Sequence, residues 1–172
     1  MSNFLNNLLC QSKRLAITGA VVLLTAPFAA KADTASTTMA VTALVLKVCV
    51  VAATPMVFGN YTATNSTPTD ATSTIVVTCT NGTTYDVALD AGIGTGATTT
   101  TRKLSFLTNT LNYQLFSNAS HSQNWGNTSG TDTVAGSGSG LIATHTVYGR
   151  MSQGQYDSPG AYLDTITVTV NY

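Results

Sequence analysis

The chain has 172 residues, of which 8% are charged, and its seven acidic residues are all Asp. An average soluble protein carries about 25% charge, so this balance excludes the basic face that a nucleic-acid binder needs to neutralise phosphates. It also disfavours long surface helices, which are usually laced with Glu and Lys. Thr, Ser, Asn and Gly take the place of charge, a mixture suited to strands and tight turns.

Residues 1–32 read as a secretory leader. Lys13 and Arg14 end a basic region, an apolar run follows from Leu15 to Ala30, and Ala30-Lys31-Ala32 forms a small-x-small cleavage site before Asp33. The run is shorter than the ~20 residues that span a bilayer, so no membrane insertion is expected once the leader is gone. The 140 residues that remain set Lys47, Arg102, Lys103 and Arg150 against seven Asp, a net charge of −3. Cys10 leaves with the leader. Cys49 and Cys79 remain as a pair in a chain sent to an oxidising compartment, and a disulfide is the favoured reading. A metal site wants more thiols or nearby His, and a redox pair wants closer spacing.

From Asp33 the pattern is that of strands. Met39–Val51 is a long β-type run. Thr62–Thr72 is a loop, and Ser73–Thr80 is a strand ending at the turn dipeptide Asn81-Gly82. Thr84–Asp90 alternates, with Tyr85, Val87 and Leu89 on one face and Asp86, Ala88 and Asp90 on the other. Gly92–Thr101 is a loop. Arg102–Phe106 and Leu111–Phe116 form a hairpin around Thr108-Asn109-Thr110. Asn118–Gly140 is loop, and Leu141–Met151 and Ala161–Tyr172 are the last strands. Short strands at regular spacing with turn signals between them predict an all-β sandwich or barrel.

The residues that carry chemistry form no catalytic set. His121 and His145 lack a metal-ligating partner at short spacing and are expected at loop or strand surfaces. There is no G-x-S-x-G elbow. Gly92–Ala97 lacks the glycine spacing and the following helix of a phosphate loop. Asp86 and Asp90 share one strand face, which reads as solvated. No enzyme, metal or cofactor is expected.

The leading run carries more information. Met39, Val41, Ala43 and Val45 form an apolar face, opposite Thr38, Ala40, Thr42 and Leu44. Such a strand at a mature terminus either pairs within its own sheet or joins the open sheet edge of another molecule.

In chain order the sequence resembles the spore coat protein U-like domains, which include the shaft pilins of archaic chaperone–usher pili. The resemblance is carried by Val41-Thr-Ala43 with Val45-Leu46-Lys47 and Cys49, then Ala53–Gly59 and Tyr61, then Asp70–Thr80 and Tyr85–Gly92. It continues through Arg102-Lys103-Leu104, Leu111–Phe116, Trp125-Gly126, Val147–Arg150, Pro159–Tyr162 and Asp164–Tyr172. Phe116 stands where a Tyr is common, and Met39 where a larger aromatic occurs.

The resemblance implies an incomplete immunoglobulin-like β-sandwich, completed by donor-strand complementation. Residues 33–45 would be the N-terminal extension and 46–172 the pilin domain. Met39, Val41, Ala43 and Val45 would be the donor set. Thr165, Ile166, Thr167, Val168, Thr169, Val170, Asn171 and Tyr172 would edge the acceptor groove and contact a chaperone. Cys49–Cys79 would staple the first strand to its neighbour. The implied partners are copies of the chain or related pilins, a periplasmic pilus chaperone and an outer-membrane usher. The implied destination is an extracellular pilus, reached through the periplasm, that serves adhesion and biofilm formation. The competing readings are a secreted coat or matrix protein of the same fold that fills its own groove, and a ligand-binding or hydrolytic sandwich.

Overall fold

The computed structural model describes residues 31–172. The expected leader falls almost wholly on residues 1–30 and lies outside the described residues. The chain divides into a leading unit ending at Thr42 and a body, Ala43–Tyr172.

Eight strands form the body: β1 Cys49–Ala53, β2 Thr69–Cys79, β3 Thr84–Leu89, β4 Arg102–Phe106, β5 Asn109–Phe116, β6 Val134–Ser137, β7 Ile142–Met151 and β8 Val168–Asn171. They make a five-stranded sheet, in the order β1-β2-β7-β5-β4, and a three-stranded sheet, β6-β3-β8. Every pairing is antiparallel. This all-β sandwich is the predicted architecture.

Alternation builds the core. In β2, Ser73, Ile75, Val77 and Cys79 are buried while the residues between them are half-exposed, which is the period of a strand with one face on a core. The turn after β2 carries the chain from one sheet to the other. Thr83 N–H donates to the carbonyl of Thr80 at 3.0 Å, and Gly82 supplies a φ of 76°. From β3, Tyr85, Val87 and Leu89 point inward as predicted, and Ala88 is buried too.

Trp125, on the connection between β5 and β6, is inserted between the sheets. Its indole N–H donates to the Val87 carbonyl at 2.9 Å, and its backbone N–H to the Leu115 carbonyl at 2.9 Å. A buried indole needs such a partner.

Five expectations are revised. β2 begins at Thr69, inside the segment read as loop, and of the strand read over Ala161–Tyr172 only Val168–Asn171 forms one. The β4–β5 turn lies at Leu107-Thr108, with Leu107 at φ 52°, because Phe106 pairs with Asn109. β6 lies inside the segment read as loop; its Val-Ala-Gly-Ser sequence is too short and too rich in small residues to show a period. The long leading run forms a strand only from Cys49 onward. A strand exists through its ladder, and residues 33–48 form none among the described residues.

Candidate strand-accepting groove

Cys49 and Cys79 sit opposite one another in the β1–β2 register and are disulfide-bonded. β1 is an edge strand of the larger sheet, and β8 is an edge strand of the smaller one. β1 begins where β2 ends, β2 leads through a four-residue turn into β3, and β3 Asp86 pairs with Asn171. The start of β1 and the end of β8 therefore share one end of the sandwich.

Each edge strand has one used side and one free side. Val48 accepts from Thr80 N–H at 2.9 Å, and Thr54 N–H donates to the Thr74 carbonyl at 2.9 Å. Backbone groups alternate along a strand. Val50 and Ala52 thus face β2, and Cys49, Val51 and Ala53 turn theirs to the open side. In β8 the same logic starts from Asp90 N–H donating to the Thr167 carbonyl at 3.2 Å. Thr167, Thr169 and Asn171 face β3, and Ile166, Val168 and Val170 face away from it. Those three residues also point their side chains inward, where they pack against the core. Unpaired backbone groups and unfilled apolar surface coincide on the same residues.

A cavity of about 330 Å³ lies between the end of β1 with the segment that follows it and the start of β8 with the segment that precedes it. One wall is Ala53–Met56 with Phe58; the other is Asp164–Ile166 with Val168. Ile75, Leu89, Leu104, Tyr113, Leu115 and Val147 form its floor. Gly149 permits this shape, since a Cβ there would come within 2.3 Å of the Met56 sulfur. A second, more polar cavity of about 820 Å³ adjoins it, between Met56–Tyr61 and Gln155–Leu163.

The polar groups around the groove hold its walls. Arg102 is fully buried, and its guanidinium donates to the carbonyls of Leu89, Asp90, Thr99 and Trp125 at 2.6–3.1 Å. Burial lowers its pKa, with Tyr113 and three carboxylates opposing. Because Arg102 takes the Asp90 carbonyl, Thr167 N–H donates instead to the Asp90 side chain at 2.9 Å. This exchange ends the β3–β8 ladder at Leu89. Burial pushes the Asp90 carboxyl up, but hydrogen bonds from Thr167 and Gly92 outweigh it and leave the group below its ordinary value. Tyr113 O–H donates to Asp164 Oδ2 at 2.7 Å, and burial together with that carboxylate drives the phenol far upward. Ile93 N–H donates to Asp164 Oδ1 at 2.8 Å. Gly92 makes that approach possible, having no Cβ and a φ of 80°.

The expected donor residues form no ladder. Met39, Val41 and Val45 are about 80% exposed, Ala43 is exposed, and none belongs to a strand. Of the expected edge, Val168–Asn171 forms β8, while Thr165–Thr167 approach it and Tyr172 follows it.

Other polar residues depart from expectation. His145 is half-buried, 3.1 Å from the Tyr85 hydroxyl, and burial lowers its pKa. His121 packs edge-on against Phe116 and Tyr148, with ring centroids 5.3 and 6.2 Å away. Both histidines are packed against aromatic rings instead of resting on the surface. Asp90 caps backbone N–H groups and is not a solvated carboxylate. Arg102 and Asp164 carry structural weight that sequence reading did not assign. The one available signal for Arg102 was its place as the first residue of a predicted strand in a chain with so few charges. Among the described residues no three metal-capable side chains cluster, and no helix is long and apolar enough to cross a membrane.

The family model for the Spore Coat Protein U domain matches residues 35–169. No curated protein matches the chain. Among solved structures, it is similar to a chain in the crystal structure of the CsuC–CsuE chaperone–tip adhesion subunit pre-assembly complex from archaic chaperone–usher Csu pili of Acinetobacter baumannii. The TM-score is 0.55 at 23% identity, over 74% of this chain and 40% of that one. The present chain thus spans less than half of that chain's length. The likeness carries the fold, an immunoglobulin-like sandwich.

Proposed function

The chain belongs to the Spore Coat Protein U domain family, and from that premise we propose that it is a structural subunit of a chaperone–usher surface pilus. It polymerises by inserting its N-terminal segment, residues 33–45, into the groove of the adjacent subunit. The observation that carries this reading is the pair of edge strands β1 and β8, each with one unpaired side, with an apolar cavity between Ala53–Phe58 and Asp164–Val168. It is supported by an apolar alternation just ahead of β1 that has no ladder of its own.

In this reading the leader, residues 1–32, directs export and is removed. A periplasmic chaperone first supplies a strand to the groove, contacting Thr165–Tyr172. An outer-membrane usher then exchanges it for the next subunit's Met39, Val41, Ala43 and Val45. Burying Met39, Val41 and Val45 gives roughly 4.5–9 kcal/mol gross, with Ala43 adding less, and each ladder hydrogen bond adds about 0.5–1.5 kcal/mol net. Donor and acceptor sites differ, so the contact is heterologous and the assembly is an open filament. The role is structural, in adhesion and biofilm formation.

Removing residues 33–45 tests this directly. The truncated subunit is expected to bind chaperone and form no fibres, while the full chain gives a heat-resistant ladder of oligomers on a denaturing gel. Long fibres from the truncation, or a full chain that refolds alone to a stable monomer, overturn the proposal. The second outcome would favour a self-complemented coat or matrix protein.

A further inference from the structure

Asp164 lines the groove wall, and the ion pairs among the described residues do not include it. Three donors reach its carboxylate: Ile93 N–H and Thr165 N–H at Oδ1, each at 2.8 Å, and the Tyr113 hydroxyl at Oδ2, 2.7 Å away. A carboxylate offers about four acceptor positions, so Oδ2 retains one. Lys47 stands two residues beyond Val45, at the same strand parity as Met39, Val41, Ala43 and Val45, and is exposed.

Direction follows from the shape of the body. Its own leading segment enters at the Cys49 end, which is also the Asn171 end of β8. A strand inserted parallel to β8 would place the donating body at that same end, against residues 43–48 of the accepting copy. Antiparallel insertion puts successive bodies at opposite ends.

We propose that the incoming strand lies antiparallel to β8 in the register that sets Lys47 of the donating copy opposite Asp164 of the accepting copy, and that this ion pair selects the register. The inference rests on the pilus reading above. In this register Val45 faces Ile166, Ala43 faces Val168, Val41 faces Val170 and Met39 faces Tyr172. Each donor side chain thus meets a residue whose backbone is free. A slip by one residue turns the apolar set outward. A slip by two drives the Lys47 ammonium against Ile166, or Val45 against the Asp164 carboxylate. Either slip leaves a charge facing an apolar partner in the groove.

The test uses the full chain assembled with its chaperone and usher. Paired cysteines at facing positions lie within disulfide reach. Val45→Cys with Ile166→Cys is expected to give a covalent ladder on a non-reducing gel. Val45→Cys with Val168→Cys is expected to give little. Lys47→Ala, which removes an exposed side chain outside the ion pairs among the described residues, is expected to speed polymer dissociation about tenfold or more, and Lys47→Arg to restore it. Fibres that cross-link in another register, or that ignore Lys47→Ala, overturn this inference and leave the pilus reading standing. An unaltered chain that forms no strand-linked polymer overturns both.

Discussion

β3 and β8 are neighbours with the same alternation, yet they stand in opposite conditions. β3 has a strand on each side, and Val87 and Leu89 are almost fully buried. β8 has β3 on one side and no hydrogen-bonded strand on the other, where β1 of the other sheet lies nearby, and Val168 and Val170 are only half-buried. Burial thus follows the number of ladder neighbours more than hydrophobicity, since both strands supply valines. An edge of this kind invites another chain, and here it stands over an apolar floor. The fold is complete around Trp125 and incomplete beside Val168.

The largest effect is expected on the complete side. Arg102→Ala leaves four carbonyls without their shared donor and should lower stability by roughly 3–5 kcal/mol, read as the urea midpoint. Free subunit and polymer should fall together, because Arg102 serves β3, β4 and the Trp125 segment alike. If the polymer alone falls, the division between the two sides is wrong.

Removing the staple comes next. Cys49→Ser with Cys79→Ser should cost about 3–4 kcal/mol in the chain-entropy model. The loss should be accompanied by reduced chaperone binding, since β1 is one of the two groove edges.

Val168→Ala sharpens the contrast. In the free subunit the side chain is half-exposed and should matter little. In the polymer it should cost about 1–2 kcal/mol more, seen as a lower temperature of polymer melting in denaturing detergent. Equal effects in the two states would mean that the groove is already filled.

The smallest effect lies on the outer face of β2 and β7. Arg150 donates to both Asp70 oxygens at 2.7 Å. That hydrogen bond, aided by the Arg150 charge, holds the Asp70 carboxyl below its ordinary value against a burial that raises it. A depressed carboxylate stabilises the fold above its unfolded value near pH 4, and the gain is lost as pH falls through the folded value. Arg150→Met should therefore cost less than about 1 kcal/mol at neutral pH for this exposed pair. The difference from the parent should vanish in acid.

Much of this was legible in the chain. The periods of Ser73–Thr80, Thr84–Asp90 and Leu141–Met151 announce strands because each has one buried face. The cysteine pair announces a bond because only two thiols remain after the leader. Other features left no such trace. β6 is built of small residues and is held by its pairing with β3. Asp90 reads as surface until Arg102 claims its carbonyl and Thr167 turns to its side chain. The histidines read as exposed until the aromatic rings around them are placed.

Local alternation alone therefore determined that this protein is made of strands and which face of most strands is apolar, because side-chain period is a property of neighbouring residues. Only the tertiary structure decided which edges remain unpaired and that β1 and β8 flank one cavity. Strand order depends on contacts between residues far apart in the chain, and those carry no period to read.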